Sequence, residues 1–265
     1  MHNQQNSKAE RVDISVITPF YNGNKYIPGL LNMLDCNMEN MSDSSMKMEF
    51  ILVNDSPNVE IEYDKSIAHA FDIRSLSNKK NLGIHATRCA GIRAARGKYV
   101  VMLDQDDLLD KTWINEQWKV IKGNDIAISN ALYCQRHIKI LAYKDEEEMR
   151  HSCNKWALCF KGNKIISPGQ VLIKKDIIPK TWMKYPMKNN GADDYLLWIL
   201  VFEKNHKVAY NSTVFYYHSY STESVSHRSN LMRKSEREMA EIICKCHLVG
   251  ALRRSIYRAK YIKRK

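Results

Sequence analysis

The sequence predicts an α/β protein with a mostly parallel central sheet flanked by helices. Three short apolar runs, residues 13–18, 49–53 and 99–103, have the length and β-branched content of buried strands. Each is followed by a polar turn and then by helical spacing, an order that favours parallel pairing through right-handed crossovers. All three runs end in polar residues, so these side chains would share the edge where open α/β sheets bind ligands.

Length and composition indicate one main domain. The chain has 265 residues and is 44% hydrophobic, enough for one substantial core. Its longest apolar run, residues 195–202, is far shorter than the ~18 residues that cross a membrane. Residues 1–10 lack the apolar core of a signal peptide. We therefore expect a cytoplasmic protein.

The seven cysteines are scattered and contain no C-x-x-C pair. An odd, dispersed set supports neither a disulfide framework nor a zinc site. We expect reduced, mostly buried thiols.

The remaining elements follow from spacing and turn residues. Pro19 is expected to end the first strand. We expect helices over residues 25–36, 84–96, 112–122 and 193–204, and a helix with a short strand within residues 58–75. Further strands are expected over residues 126–134, 138–143 and 208–217, and another after the turn residues 167–170. Residues 144–150 are expected to form a charged surface segment.

An acidic cluster, Asp104-Gln105-Asp106-Asp107, follows the third strand. Three carboxylates so close together repel one another unless a hard divalent cation or strong donors share their charge. Alternate side chains of an extended segment share a face, so Asp104 and Asp106 could enter one crevice. The alternative is a solvated acidic turn, which a short motif alone does not exclude.

The other strand ends carry groups that suit a nucleotide. Pro19, Phe20 and Tyr21 offer a ring on which a base can stack, and Asp55 can accept a hydrogen bond from a pyrimidine imide. Arg88 could neutralise a diphosphate or orient an acid. Each of these residues also has an ordinary structural interpretation. Those at the strand ends could be simple turn residues, and Arg88 could be a helix residue that faces solvent.

Asp193 and Asp194 open the apolar helix that follows Gly191. Acids in a first helical turn are favoured by the macrodipole, but such a pair also suits a general base at a cleft. His218 is either structural or a ligand for Mn²⁺.

Five motifs in order resemble the family 2 glycosyltransferases with the Rossmann-like GT-A fold, as found in bacterial capsule and cell-wall polysaccharide pathways. The motifs lie within residues 12–226 and are Val16-Ile17-Thr18-Pro19-Phe20-Tyr21-Asn22, Glu49-Phe50-Ile51-Leu52-Val53-Asn54-Asp55, Asn81-Leu82-Gly83 with Arg88, Leu103-Asp104-Gln105-Asp106-Asp107, and Asp193-Asp194-Tyr195-Leu196-Leu197-Trp198. The chain departs from the family pattern at Ser56-Pro57, where Gly is usual, at Cys89, where Asn is common, and at Asp193, which replaces Glu.

The resemblance implies inverting transfer of a sugar from a nucleoside diphosphate sugar, usually UDP-linked, to a hydroxyl of a saccharide or lipid-linked saccharide. By the same resemblance, the nucleotide would be held by Pro19, Phe20, Tyr21, Asp55, Arg88 and Asp104. Asp106 would bind Mn²⁺ or Mg²⁺ with help from His218, and Asp194 would be the catalytic base. Asp193 and Gln170 would lie near the sugar donor or the acceptor. Two alternatives stay open: a nucleotide-sugar-binding protein without turnover, and a metal-dependent nucleotidyltransferase.

The net charge of +12 is concentrated at the end of the chain, where residues 228–265 contain twelve Lys or Arg and three Glu. We expect a glycosyltransferase domain over residues 1–227 and a basic helical extension over residues 228–265. Apolar residues from Ile242 to Ile262 recur at steps of three or four, which is typical of one amphipathic helix. Such a helix would either bind an anionic membrane surface or pack on the domain. Nucleic acid is disfavoured as a partner because no binding module is recognisable.

Overall fold

The computed structural model describes residues 11–135, 138–219 and 229–263. The expectations for residues 1–10, and for a domain boundary between residues 227 and 228, lie outside these described residues.

Nine strands of the described chain form one sheet. They are β1 (Ile14–Phe20), β2 (Met48–Asn54), β3 (Asp72–Ser77), β4 (Tyr99–Met102), β5 (Leu108–Leu109), β6 (Ile126–Gln135), β7 (Ile138–Leu141), β8 (Val171–Lys174) and β9 (Val208–Ser219). Their order is β3-β2-β1-β4-β8-β6-β9-β5, with β7 paired to β6. β1 to β4, β6 and β9 run in one direction and β5, β7 and β8 oppose them, which confirms the mostly parallel sheet.

Helices cover both faces of the sheet. They are α1 (Ile27–Glu39), α2 (Ile84–Ala94), α3 (Trp113–Ile121), α4 (Glu146–Ser152), α5 (Lys155–Phe160), α6 (Lys180–Lys184), α7 (Asp193–Val201), α8 (Ser229–Lys245) and α9 (Ala251–Tyr257), followed by a π-helical turn, Arg258–Ile262. One buried cluster joins side chains of α2, α7 and α8 to one sheet face, and a second joins α1 and α3 to the other. None of the helices of the described chain is long and apolar enough to span a bilayer.

Two expectations about elements are wrong, and the structure adds a helix at a third place. β1 continues through Pro19 to Phe20, because its pairing with β4 has already ended at Ile17 and Met102, so the missing N–H of Pro19 interrupts no pairing on that side. The segment 58–71 contains no helix, which fits its lack of an apolar stripe. The charged segment 144–150 lies at the surface as expected, with Met149 as its buried residue, and most of it is helix α4. The Asp145 side chain accepts a hydrogen bond from the Glu148 N–H and caps this helix.

The C-terminal stripe is not one helix. The chain turns between α8 and α9, where His247 has a φ of 51°. Val249, just before α9, and Tyr257, the last residue of α9, are buried against the domain. On α8, Glu238 accepts hydrogen bonds from the backbone N–H groups of Lys188 and Asn189. The described part of the extension therefore packs on the domain.

Candidate active site

A cavity of about 1280 Å³ opens at the carboxyl edge of β1 and β4. Its walls come from the polar strand ends, from the amino-terminal turns of α2 and α7, and from the loop that follows α5. The sequence-predicted residues that line it are Pro19, Phe20, Tyr21, Asp55, Arg88, Asp104, Asp106, Asp193, Asp194 and His218. The parallel sheet thus brings five separated motifs to one place.

Arg88 joins two of these motifs. Its guanidinium donates from Nη2 to Asp104 at 2.5 Å and from Nη1 to Asp193 at 2.7 Å. Burial lowers the pKa of Arg88, but the two carboxylates outweigh this and raise it well above its ordinary value. Arg88 is therefore a permanent buried cation that fixes the start of α7 against the end of β4.

Among the described residues, no ion pair of this kind compensates the carboxylate of Asp106. Burial, followed by the neighbouring carboxylates of Asp107 and Asp104, raises the pKa of Asp106 to about 6. Carboxylate oxygens under mutual repulsion are suitable ligands for Mg²⁺ or Mn²⁺, which would relieve that repulsion. Asp106 therefore fits the expected metal, although the described residues contain no cluster of three His, Cys, Asp or Glu side chains arranged as ligands.

His218 is held by Asp107. The two side chains lie 3.2 Å apart through His218 Nδ1, and the Tyr216 hydroxyl and the Ser219 N–H also donate to Asp107. Burial lowers the pKa of His218, whereas the bond to Asp107 raises it and prevails. With Nδ1 engaged, Nε2 is the ring atom left to face a ligand. Asp107 is thus a positioning residue for His218.

Asp55 organises the loop before α2. Its carboxylate accepts hydrogen bonds from the Asn78 side chain at 2.8 Å and from the N–H groups of Leu82 and Gly83 at 2.8 and 2.9 Å. Gly83 has a φ of 84°, which its lack of a Cβ permits. Asp55 therefore shapes the cavity wall. A base could still donate to Asp55, because each carboxylate oxygen can accept more than one hydrogen bond.

Tyr21 stands at the cavity mouth with 53% of its surface exposed, as expected for a stacking ring. The Gln105 side chain accepts from the Tyr21 N–H at 2.9 Å and donates to its carbonyl at 3.1 Å. This amide clamp ties the end of β1 to the acidic cluster. Phe20, in contrast, is fully buried.

Asp194 and Asp193 are adjacent but have different surroundings. The Asp193 carboxylate is buried in the ion pair with Arg88, whereas Asp194 accepts from Asn163 Nδ2 at 3.0 Å and from the Tyr195 N–H at 2.7 Å. Burial, followed by the charge of Asp193, raises the pKa of Asp194 to about 7. A carboxylate with a pKa near neutrality on a cavity wall is suited to general base catalysis.

The family model described as "Glycosyl transferase family 2" matches residues 15–182. The chain belongs to this family. An uncharacterized glycosyltransferase from Methanocaldococcus jannaschii is 29% identical over 168 residues, covering 60% of this chain and 55% of that protein. A cholesterol galactosyltransferase from Borreliella burgdorferi is 23% identical over 241 residues, covering 84% of this chain and 64% of that protein. The chain thus spans less than two thirds of these relatives' length.

Solved structures show the same fold. The crystal structure of S. aureus TarS 1-349 in complex with UDP-GlcNAc superimposes with a TM-score of 0.69 at 18% identity, covering 94% of this chain and 71% of that one. The same TarS fragment without that ligand gives a TM-score of 0.68. This similarity confirms the GT-A architecture of the family 2 chain.

Gln170 does not line the cavity of this family 2 chain. It is fully buried, where its side chain accepts from the Ile166 N–H at 2.9 Å and donates to the Ser129 carbonyl at 2.7 Å. Its structural contribution is to fix the turn that carries Ser167, whose hydroxyl donates to Asp104 at 3.1 Å.

Several residues of the site were not predicted. Gln105, Ser167 and Asn163 each hydrogen-bond a predicted residue, and Tyr216 bonds Asp107 of the acidic cluster. Ser167, Asn163 and Tyr216 come from distant segments. Gln105 lies inside the acidic motif, so the motif itself was its signal. Lys260 and Tyr261 of the C-terminal extension also line the cavity.

Proposed function

We propose that the chain is a metal-dependent, inverting glycosyltransferase that moves a sugar from a UDP-sugar to a hydroxyl of a saccharide or lipid-linked saccharide. The observation that carries this proposal is Asp194: a carboxylate with a pKa of about 7 lies on the wall of a cavity that also contains the Arg88-bridged acids and Asp106. Family membership supplies the reaction class.

Asp194 would act as the general base. In a single in-line displacement at the anomeric carbon, its carboxylate accepts the proton of the acceptor hydroxyl as that oxygen forms the new bond. Asn163 and the Tyr195 N–H hold the carboxylate in place. No covalent intermediate forms, so the configuration at the anomeric carbon inverts.

Asp106 and His218 would hold Mn²⁺ or Mg²⁺, which would stabilise negative charge on the leaving diphosphate. Pro19, Phe20, Tyr21 and Asp55 would form the base pocket, with Tyr21 as the exposed stacking ring. Arg88 and Asp104 would shape the nucleotide site from beneath, since each is already engaged by the other.

The donor and acceptor classes draw on the relatives. TarS is known in complex with UDP-GlcNAc, and the minor teichoic acid biosynthesis protein GgaB of Bacillus subtilis is 31% identical over 108 residues, although this match covers only 40% of this chain and 12% of GgaB. These similarities support a UDP-sugar as the donor and a polysaccharide as the product. We further propose a cytoplasmic protein, peripheral to the membrane through residues 228–265, which would form an extension to a catalytic domain over residues 1–227.

Thermal shift with UDP, GDP, CDP and TDP, each with and without Mn²⁺, tests the donor site. We expect a metal-dependent stabilisation by UDP. A transfer and hydrolysis assay with a panel of UDP-sugars then tests turnover. Asp194→Asn should lose transfer while keeping the response to UDP, and Asp176→Asn, which changes an exposed acid after β8, should behave as the wild type.

Two outcomes would contradict the proposal. Full transfer by Asp194→Asn would exclude Asp194 as the base. Binding of a nucleotide sugar without any turnover by the wild type would leave a binding protein instead of an enzyme.

A further inference from the structure

Helix α5 presents two aromatic side chains to solvent. Trp156 and Phe160 are 45% and 60% exposed, while Ala157, Leu158 and Cys159 between them are buried. The two exposed residues are four apart and share one helix face, where their rings stack at 6.0 Å between centroids. Large aromatic side chains at such exposure indicate an interaction surface when they occur together.

The C-terminal extension enlarges this surface. The Arg253 guanidinium lies 5.6 Å from the centre of the Trp156 ring and is fixed by Glu203, and Lys260 Nζ donates to the Phe160 carbonyl at 3.3 Å. Leu252, which precedes Arg253 on α9, is 65% exposed. We call Trp156, Phe160 and Leu252 the apolar patch.

Basic residues are concentrated in the segments that carry the apolar patch. Arg254 belongs to α9, Arg258 belongs to the turn after it and Lys263 directly follows that turn, while Lys161 directly follows Phe160. No acidic residue occurs in the sequence after Glu241. A few exposed aromatic and aliphatic side chains within a positive surface have the chemistry of a protein that lies on an anionic bilayer.

We propose that the apolar patch docks on an anionic lipid surface. Trp156, Phe160 and Leu252 would enter the interface between headgroups and acyl chains, and the basic side chains around them would pair with lipid phosphates. This inference refines the membrane contact proposed above and does not rest on the transfer chemistry.

The contact differs from the one that an isolated amphipathic tail would make. Val249, which belongs to the apolar stripe of the tail, is buried against the domain, as is Tyr257, and neither can reach lipid without unfolding. Of that stripe, Leu252 and Ala259 are exposed. The aromatic contribution comes from α5, more than 90 residues earlier in the chain.

The position of the apolar patch relates the membrane to the cavity. Lys161, Gly162 and Asn163 follow Phe160 and line the cavity, and Asn163 donates to Asp194. Three residues span at most ~10 Å. A bilayer at the patch would therefore lie near the side of the cavity that holds Asp194, where an acceptor hydroxyl must arrive.

Vesicle co-sedimentation of the full chain tests the proposal. The probes are vesicles of phosphatidylcholine alone and of an equimolar mixture of phosphatidylcholine and phosphatidylglycerol. We expect binding to the mixed vesicles, and Trp156→Ala with Phe160→Ala should weaken it about tenfold or more because the inserted apolar area is lost. The matched control is Ile138→Ala with Ile140→Ala, since these residues of β7 are equally exposed, at 60% and 56%.

A second variant, Arg258→Glu with Lys263→Glu, should abolish the preference for the anionic vesicles. Thermal unfolding with and without UDP, measured on every variant, reports folding and the donor site separately from lipid binding. The proposal is overturned if the wild type binds neither vesicle or if the aromatic variant binds as well as the control. It is also overturned if a soluble oligosaccharide, and not the vesicles, changes the tryptophan fluorescence of the wild type but not that of the aromatic variant.

Discussion

At the scale of single residues, the site divides its acids by what compensates their charge. Asp104 and Asp193 share the buried Arg88, and Asp107 holds His218. Asp106 and Asp194 have no such cation bonded to them in the described residues, and burial raises the pKa of both. These two are the acids that we propose to bind the metal and to accept the proton, so the electrostatics and the proposed chemistry agree.

The raised pKa of Asp194 predicts a pH dependence. A general base must be ionised, so kcat/KM should rise with pH through about 7 and level off above it. The folded state binds the carboxyl proton of Asp194 more tightly than the unfolded state, so protonation of Asp194 stabilises the fold. The contribution of Asp194 to the free energy of unfolding should therefore fall as pH rises from 3.8 to about 7. Initial rates of sugar transfer measured below and above pH 7 test the rise and the plateau, and Asp176→Asn should show the same profile as the wild type. A rate independent of pH on both sides of 7 would argue against Asp194 as base.

Arg88 predicts a large effect on stability. Arg88→Ala leaves the carboxylates of Asp104 and Asp193 without their cation, which should lower the free energy of unfolding by about 3–5 kcal/mol. The control is Arg93→Ala in the same helix, where the guanidinium makes an exposed hydrogen bond to the Met183 carbonyl. Equal denaturation midpoints for the two variants would show that the buried bridge contributes little.

At the scale of elements, the strands that alternate with helices were predictable because burial on both faces demands nearly continuous apolar runs. β1, β2 and β4 are buried along their whole length and match the expected strands closely. The short helices α5 and α6 were not predicted, since six and five residues are too few to show a helical period. The turn between α8 and α9 was missed because the apolar spacing continues across it and His247 supplies the positive φ in place of glycine.

Replacement of two helical glycines by alanine should change stability in opposite directions, because Gly91 of α2 packs against the sheet and Gly29 of α1 does not. A Cβ at Gly91 would clash with Ile17 Cγ2 and lie 3.1 Å from Val53 Cγ2, so Gly91→Ala should cost about 1–3 kcal/mol of stability. Gly29 in α1 has open space around its Cβ position, so Gly29→Ala should stabilise by about 0.5–1 kcal/mol. Urea denaturation of both variants tests this. If both variants were more stable than the wild type, helix propensity would outweigh the contact at Gly91.

At the scale of the whole molecule, the sequence indicated which residues would meet at the sheet edge but not how the chain closes around them. Asp55, Arg88, Asp104 and Asp194 carried recognisable motifs, and the parallel sheet brings motifs of this kind to one edge whatever the loops between them do. Asn163 and the extension residues Lys260 and Tyr261 come from segments whose positions depend on tertiary packing. Such packing leaves no local periodicity to detect.

The C-terminal extension shares a hydrophobic core with the sheet, since Tyr257 belongs to the same buried cluster as residues of β1 and β4. The Tyr257 ring is 1% exposed and meets Tyr195 of α7 edge to face, at 6.4 Å between centroids. Tyr257→Ala should lower the free energy of unfolding of the whole chain by about 3–5 kcal/mol in one cooperative transition. Leu252→Ala, an exposed position in the same helix, should change it by less than about 0.5 kcal/mol. If Tyr257→Ala instead leaves the main transition unchanged and adds a separate early one, the extension would be an independent unit, and its contribution to the cavity wall would require another explanation.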